Sequence, residues 1–219
     1  MHSDEVLLQV VHEDAHLLVL HKPSGLLTIP GQSPTQQDCL ITRARQRWPD
    51  ALIVHRLDQA TSGLLILARG PAMQKTLSMA FEKRLVHKRY EAVVQGLPTG
   101  QPGPDGWSEI SLPIRIDWQN RPRSIVDPVR GKPSLTRWQA LGEGPWPDTT
   151  RLALEPLTGR THQLRLHLMA LGHPIVGDPL YAEPPVQTLA PRLLLHACSL
   201  RLAHPVTGEP LALSLAAPF

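Results

Sequence analysis

A polar stretch with a possible reactive carboxylate lies between two apolar runs in the first third of the chain. It contains His55, Arg56, Asp58 and Thr61. The apolar runs on either side, 51–54 and 64–68, are typical of buried strands, so we expect the polar residues on a loop between two rigid elements. An aspartate in such a loop either forms a structural ion pair or acts as a reactive group, and the spacing alone allows both. An ionised carboxylate can serve as a nucleophile or a general base without a metal.

Two arginines accompany the start of a predicted helix in the second half of the chain. Segment 157–172 places its apolar residues at positions i, i+4 and i+7, at Leu164, Leu168 and Leu171. Thr161 is predicted to cap this helix and Gly172 to end it. Arg160 then lies at the helix start and Arg165 one turn in, next to the apolar face. An arginine so close to a core needs an acidic partner, and Asp58 would supply one.

Shorter patterns predict the elements that position these two segments. Apolar runs predict strands at 6–11, 16–20, 91–95, 151–156, 193–197 and 200–203, the first two as a hairpin. Apolar residues at helical spacing predict helices over 36–48 and 73–85, with Pro71 near the start of the second. Pro23 and Gly25 predict a tight turn, from which the side chain of Lys22 would face outward.

Basic residues concentrate in the segment 114–137. They are Arg115, Arg121, Arg123, Arg130, Lys132 and Arg137. A flexible arm that binds RNA phosphates and a solvated loop both account for this pattern. A second basic cluster, 83–89, precedes Tyr90. The net charge of +3 and the pI near 9.1 suit a polyanionic partner without requiring one.

The composition bounds the protein class and its compartment. A chain of 219 residues with 42% hydrophobic residues can bury a proper core, as one large domain or two small ones. An aromatic fraction of 4% is too low for a surface that reads single strands by serial stacking. Cys39 and Cys198 lack CxxC spacing, which argues against a disulfide framework and favours a reducing compartment. The acidic N-terminal residues do not fit a signal peptide, and no long apolar run follows, so we expect a soluble cytoplasmic protein without a membrane partner.

Other chemistries lack their usual sequence signals. His162 and His167 are spaced i and i+5, whereas a zinc-binding helix places its two histidines at i and i+4. The chain contains no GxxxxGK[ST], GxGxxG or GxSxG motif, which removes support for nucleotide cofactors and for a hydrolase elbow. We therefore expect neither a metal nor an organic cofactor. What remains is an acid-centred site at Asp58, and chemistry there on a base of folded RNA would require the nucleotide to be flipped out.

Five motifs together carry a family signal. They are HRLD with TSGL at 55–58 and 61–64, KPSGL at 22–26, KRY at 88–90, LTGRTHQLR at 157–165 and LLHA at 194–197. In order and spacing, from about residue 6 to the C-terminus, they resemble the RluA-type pseudouridine synthases. The HRLDQATSG loop and the segment LGHPIVGD at 171–178 look most like the dual-specificity branch of that family, which acts on 23S ribosomal RNA and on tRNA.

The resemblance implies a fold and a reaction. The fold is α+β, with a bent, largely antiparallel central sheet flanked by helices and loops. The reaction isomerises uridines in stem-loops of 23S ribosomal RNA and of tRNA, including the anticodon stem-loop, to pseudouridine without metal or cofactor. The resemblance also implies one catalytic domain over residues 1–219, with no separate N-terminal RNA-binding domain, which we expect to act as a monomer on structured RNA.

The site residues of the family carry over to the matching positions of this sequence. Asp58 matches the essential aspartate, Tyr90 the active-site tyrosine and Arg165 the arginine that pairs with that aspartate. Leu195 matches an apolar residue near the base, and Arg56 matches the side chain that enters the RNA where the target uridine has left. The remaining motif residues expected in the substrate-binding surface are His55, Thr61 and Arg160.

The sequence leaves the chemical steps and a rival function open. The Asp58 carboxylate acts at C1′, at C6 or as a base at C2′, and Tyr90 either accepts the C5 proton or holds the ring. A rival function is a catalytically silent domain that binds or folds RNA, and a metal-dependent hydrolase is a remote third. His21 stands where many members of the resembled family have asparagine, and Gln59 is a variable position of the branch; both are expected to bear only on RNA contacts.

Overall fold

Strands and short helices follow one another in the computed structural model, which describes residues 8–219. The strands are β1 (Gln9–Glu13), β2 (Leu17–Lys22), β3 (Ala51–Ile53), β4 (Ser62–Arg69), β5 (His87–Gln95), β6 (Ser108–Ser111), β7 (Ile114–Ile116), β8 (Ser124–Val126), β9 (Leu135–Glu143), β10 (Thr149–Pro156), β11 (Leu195–Ala203) and β12 (Pro210–Ser214). The helices are α1 (Leu40–Arg47), α2 (Gly70–Glu82), α3 (Gln163–Ala170) and α4 (Pro184–Gln187), with a 3-10 turn at Pro34–Gln36. This confirms the α+β class.

The described residues form two compact units. The first comprises the residues up to Val86 together with Ser199–Leu215, and the second comprises His87–Cys198 together with Ala216–Phe219. Strand β11 contributes residues to both units. Two separate strands, 193–197 and 200–203, were predicted in this region. The chain instead stays extended between them, because neither Cys198 nor Ser199 is a proline or a glycine that would break a strand.

Strand β2 lies between β1 and β4 in the first unit. It pairs with β1 and with β4, and β4 pairs with β3, all in antiparallel register. This confirms the predicted first hairpin, although residues 6 and 7 lie outside the described part of the chain. Residues 17–20 are all fully buried, which explains why β2 reads as a continuous apolar run rather than an alternating one. Strand β12 pairs with the part of β11 that belongs to this unit.

Both helices of the first unit are shifted from their predicted bounds. Helix α1 begins only at Leu40, because the 3-10 turn ends at Gln36 and Cys39 is extended. Helix α2 packs Leu77 into a core cluster with residues of β2, β4 and β11, and Pro71 lies in its first turn as predicted. It ends before its predicted end because Arg84 adopts a left-handed conformation with φ of 60°, which leaves Leu85 exposed.

The second unit contains a run of antiparallel strands and a small hairpin. Strand β10 lies between β5 and β9, and β9 also pairs with β6. Strands β7 and β8 pair in a small hairpin, whose buried Ile114 and half-buried Val126 pack against Leu166 of α3 and against Tyr181. The basic segment is therefore neither wholly a flexible arm nor wholly a solvated loop. Its strands are docked on α3, and most side chains project into solvent in the connecting loop 117–123 and again in residues 128–133.

Two further features concern the cysteines and the lengths of the helices. Cys39 and Cys198 are free thiols and both are buried. Burial raises the pKa of Cys198 to about 11, so its thiol is protonated near neutral pH. Between residues 8 and 219, no helix has the length and apolar character that a membrane crossing requires.

Candidate active site

The polar loop around Asp58 connects β3 to β4 in the first unit, as predicted. It carries His55, Arg56, Asp58 and Thr61. The strands on its two sides pair with each other in antiparallel register, so both ends of the loop are fixed to one sheet. The side chain of Arg56 is exposed and that of Asp58 is half-buried. Thr61 is buried, and its backbone N–H donates to the carbonyl of Asp58 over 3.1 Å, which closes a turn around the aspartate.

Lys22 lies under this loop, and the prediction that its side chain faces outward is wrong. The side chain is fully buried. Its ammonium donates to the carbonyls of Pro23 at 2.9 Å, Leu26 at 2.7 Å and Gln59 at 3.0 Å. A buried ammonium is tolerated only when its protons are hydrogen-bonded, and three carbonyls match its three donors. Lys22 therefore joins the turn after β2 to the residue that follows Asp58.

The same turn holds the loop through further backbone contacts. The N–H of Gly25 donates to the carbonyl of Gln59 over 2.8 Å, and the Gln59 side-chain amide donates back to the Gly25 carbonyl over 3.0 Å. Gly25 has φ of +88°, a left-handed conformation that favours glycine. On the other side of Asp58, the Thr28 hydroxyl donates to the Leu57 carbonyl over 2.8 Å. The backbone is thus fixed on both sides of the aspartate, and the sequence alone did not identify the contribution of Thr28.

His55 anchors the start of the loop. Its Nε2 accepts a hydrogen bond of 2.9 Å from the backbone N–H of Ile66 in β4. The ring also stacks on Phe81 of α2, with centroids 4.3 Å apart. In the neutral ring Nε2 is then the acceptor and Nδ1 carries the proton. These contacts orient the histidine and tie the loop to the core of the first unit.

The second unit carries the other predicted site residues. Tyr90 lies on β5 opposite Leu154 of β10 and is half-buried. Arg165 is in the first turn of α3, Arg160 lies in the loop before that helix, and the buried Leu195 is the first residue of β11. Asp58 therefore belongs to the first unit, and Tyr90 and Arg165 belong to the second.

Arg165 is held by an aspartate that the sequence analysis did not assign to it. Its Nε donates to Oδ2 of Asp178 at 2.8 Å, and its Nη2 donates to Oδ1 at 2.7 Å. The two side chains are 3% and 0% exposed. Oδ1 also accepts from the backbone N–H groups of Leu180 and Tyr181, at 2.8 and 3.2 Å. Such a buried, bidentate and hydrogen-bonded pair fixes the plane of the guanidinium. Asp178 is the last residue of the segment 171–178, which indicated the family branch but predicted no role for this aspartate.

The start of α3 differs from the predicted cap. Thr161 is exposed, and the capping position is occupied by His162, in a left-handed conformation with φ of 57°. The side-chain oxygen of Gln163 instead accepts from the Arg160 N–H at 3.1 Å and from the Thr158 hydroxyl at 2.7 Å. These contacts fix the loop before the helix, and the first turn of α3 does not have the predicted threonine cap. The predicted end of the helix is confirmed, since the chain turns at Gly172 with φ of +87°.

Positive charge lies close to Tyr90 on β5. Lys88 lies two residues before Tyr90 and therefore on the same face of the strand. Burial lowers the pKa of Lys88. Arg89 points to the opposite face and donates to Glu155 of β10 at 2.8 Å. Arg89, paired with a carboxylate, thus lies on one face of the strand, and Lys88 lies on the face that carries the tyrosine.

A metal centre finds no support in the residues that the structure describes. Within 8–219, no group of three or more histidine, cysteine or acidic side chains could hold a metal ion. Both ring nitrogens of His167 are engaged, with the hydroxyl of Thr136 at 2.9 Å and the carbonyl of Leu112 at 3.0 Å. Nδ1 of His162 lies 2.9 Å from the hydroxyl of Tyr181. These two histidines are therefore structural groups of the second unit.

Comparison with known proteins assigns the chain to a family. Residues 16–170 match the family described as RNA pseudouridylate synthase. The chain is 41% identical over 215 residues to the dual-specificity RNA pseudouridine synthase RluA of Haemophilus influenzae, covering 98% of this chain and 95% of that protein. It is 46% identical over 202 residues to the protein of the same name from Haemophilus ducreyi, covering 92% and 90%. The solved structure of human RNA pseudouridylate synthase domain containing 1 matches with a TM-score of 0.79 at 31% identity, covering 100% of this chain and 87% of that one.

Proposed function

The chain belongs to the RNA pseudouridylate synthase family, and we propose that it isomerises specific uridines in stem-loops of 23S ribosomal RNA and of tRNA, including the anticodon stem-loop. The observation that carries this proposal is the Asp58 loop. It keeps the complete HRLDQATSG motif, and its backbone is fixed on both sides of the aspartate by contacts with Lys22, Gly25 and Thr28. A site that holds one carboxylate in a defined position suits a reaction that depends on a single acidic group.

The reaction needs one bond broken and one formed at the same sugar carbon. The N1–C1′ bond breaks, the uracil turns while it is held, C5 bonds to C1′, and the C5 proton is lost while N1 gains one. We assign Asp58 as the essential carboxylate, acting at C1′, at C6 or as a base at C2′. Tyr90 either accepts the C5 proton or holds the ring.

Arg165 completes the proposed catalytic set. The bidentate contact with Asp178 through its Nε and Nη2 atoms holds the guanidinium in place. A guanidinium fixed in this way is suited to hold a second anionic group with little further loss of side-chain entropy. The pairing of Arg165 with Asp58, implied by the resemblance, stays a prediction.

The target uridine must leave the RNA stack before any of these groups can reach it. We assign Arg56, exposed on the same loop as Asp58, as the side chain that fills the space left in the RNA. We assign Leu195 to the apolar wall next to the extruded base and Arg160 to the substrate-binding surface. His55 and the buried Thr61 contribute to that surface by positioning the Asp58 loop. The cost of flipping is smallest for a base in a loop, which suits stem-loop substrates.

The hairpin of β7 and β8 supplies a surface for the RNA backbone. Trp118 in its connecting loop is 67% exposed, and the guanidinium of Arg121 lies 3.5 Å from the centre of its ring. The other basic side chains that are exposed on this segment are Arg123, Arg130 and Lys132. Arginines and lysines of this kind bind phosphates, and an exposed indole can stack on a base.

Release of tritium from RNA labelled at C5 of uracil tests the proposed function. Wild-type protein is expected to release tritium, and Asp58→Asn is expected to release none while its melting temperature and RNA affinity stay near the wild-type values. Asp148→Asn is the matched control, because Asp148 is exposed and has φ of 55°, a conformation that asparagine tolerates. Turnover by Asp58→Asn would overturn the assignment. Tight RNA binding by a wild-type protein without tritium release would favour the catalytically silent RNA-binding domain.

The proposed chemistry uses only a carboxylate, a tyrosine and an arginine. We therefore expect tritium release to be unchanged after dialysis against EDTA, because no step is assigned to a Lewis acid. Loss of activity in EDTA, with recovery on addition of a divalent cation to a substrate that stays folded, would favour a metal-dependent mechanism.

A further inference from the structure

Building on the proposed function, we propose that Tyr181 is a positioning residue for Arg165 and that it couples the β7–β8 hairpin to the guanidinium. The tyrosine contacts no reacting atom in this proposal. It acts through Asp178, so that the position of the hairpin affects the orientation of the Arg165 guanidinium. All of the contacts that carry this proposal lie within the second unit.

Tyr181 contacts both members of the buried ion pair. Its backbone N–H donates to Oδ1 of Asp178 at 3.2 Å, the oxygen that also accepts from Arg165. Its ring lies 5.2 Å from the Cζ atom of Arg165, a cation–π distance. A shift of Tyr181 therefore moves the carboxylate that orients the guanidinium and the aromatic face against which the guanidinium lies.

The hydroxyl of Tyr181 is bound to the hairpin backbone. The N–H of Ser124 donates to it over 2.7 Å, and the hydroxyl lies 3.3 Å from the Ser124 carbonyl and 2.9 Å from Nδ1 of His162. Burial raises the pKa of Tyr181, so the group remains a protonated donor while it accepts from Ser124. One side chain thus joins β8, the cap of α3 and the Asp178 turn.

The contact with Ser124 couples the position of the hairpin to that of Tyr181. Ser124 is the first residue of β8 and directly follows the exposed loop 117–123. The Cζ atom of Arg123 lies 5.4 Å from the centre of the Tyr181 ring. Ile114 of β7 packs with Tyr181 and with Leu166, the neighbour of Arg165 on α3. RNA bound to the loop would therefore hold β8 against Tyr181. If the hairpin moves away from α3, the Tyr181 hydroxyl loses its hydrogen bond to Ser124 and the ring is no longer fixed.

The substitution Tyr181→Phe separates the hydroxyl from the ring. It keeps the aromatic face and the backbone N–H but removes the hydrogen bonds to Ser124 and His162. Because a misplacement of about 1 Å at a reacting group can lower a rate about 100-fold, we expect kcat to fall about 10- to 100-fold. RNA affinity should stay near the wild-type value, since the RNA-binding side chains are unchanged. Unchanged kcat in a folded Tyr181→Phe protein overturns the proposal.

A double-mutant cycle tests the coupling to the hairpin, with single-turnover tritium release at saturating RNA as the readout. The Arg121→Ala change should lower kcat in the wild-type background and have little effect in the Tyr181→Phe background, because the link to the arginine is already broken there. Additive effects overturn the coupling. A merely structural tyrosine would lower the melting temperature of both Tyr181→Phe proteins without changing the kcat of the remaining folded enzyme.

A second variant keeps the proposal testable if Tyr181→Phe does not fold. Val126→Ala loosens the half-buried side of the hairpin that packs against Tyr181, and we expect it to lower kcat at least about threefold with unchanged RNA affinity. Thr188→Val is the control for loss of an exposed hydroxyl elsewhere in the unit. A wild-type protein that releases no tritium contradicts the proposed function itself. An active wild type whose kcat is unchanged by both Tyr181→Phe and Val126→Ala contradicts only the positioning proposal.

Discussion

Lys22 donates a hydrogen bond of 3.0 Å from its buried ammonium to the backbone carbonyl of Gln59, the residue directly after Asp58. The proposed catalytic loop therefore rests on a charged group of the preceding turn, and no part of that lysine side chain reaches solvent. Because its other donors serve Pro23 and Leu26, one ammonium links the turn after β2 to the loop after β3. The position of Asp58 depends on this link.

Lys22→Met should loosen the loop. Methionine fills a similar volume but leaves three carbonyls without their donor, and an unsatisfied buried polar group costs about 1–3 kcal/mol. We expect the free energy of unfolding, measured by urea titration, to fall by at least that amount, and kcat for tritium release to fall with it. Lys75→Met, an exposed lysine on α2, is the matched control and should change neither quantity. Equal stability of the two variants would contradict the clamping role.

Arg165→Met should destabilise the protein as well as inactivate it. The change removes the guanidinium from the fully buried Asp178 carboxylate, which keeps only its backbone N–H partners among the contacts described above. Removing one member of a buried ion pair typically costs about 3–5 kcal/mol of stability. The double variant Arg165→Met/Asp178→Asn should recover part of this loss, because a neutral amide can still accept from both N–H groups. Thermal and urea unfolding measure both effects. A melting temperature of Arg165→Met equal to that of wild type would refute the structural importance of the pair.

The buried His167 should make stability depend on pH. Burial lowers its pKa from the ordinary value of 6.5, although the hydrogen bond to the Leu112 carbonyl opposes this. As the pH falls, the unfolded chain takes up this proton before the folded one does. The stabilisation is therefore fully present above the unfolded value and is lost as the pH falls below it. The wild-type advantage in unfolding free energy over His167→Gln should shrink between about pH 7.5 and about pH 5.5. A constant advantage would show that this histidine does not titrate differently on unfolding.

The hairpin loop should contribute to RNA binding through charge. Arg121→Ala is expected to weaken binding of a stem-loop RNA and to reduce the slope of log K against log salt by about one, the value for one lost phosphate contact. Arg47→Ala is the control, because Arg47 on α1 is already neutralised by Glu13 at 3.2 Å. Fluorescence anisotropy over a salt series measures both slopes. Parallel slopes for wild type and Arg121→Ala would mean that this loop carries no phosphate contact.

The sequence by itself was sufficient for the local elements and for the family. Apolar periodicity predicted the strands around the Asp58 loop and three of the helices, and the end of α3 at Gly172 follows from backbone chemistry at one residue. Errors at helix boundaries arose where a local contact or backbone conformation decided the outcome. His162 rather than Thr161 occupies the capping position of α3, and the left-handed Arg84 ends α2 early.

Only the tertiary structure decided which groups the charged side chains meet. Lys22 was expected in solvent and is fully buried, because the loop after β3 brings the Gln59 carbonyl to it from a distant part of the chain. Arg165 was expected to need an acid, and the fold supplies Asp178 from the turn before α4, while its pairing with Asp58 stays a prediction. The physical reason is common to both cases. Periodicity reports which face of an element is apolar, but the partner of a buried charge is set by where the chain returns in space.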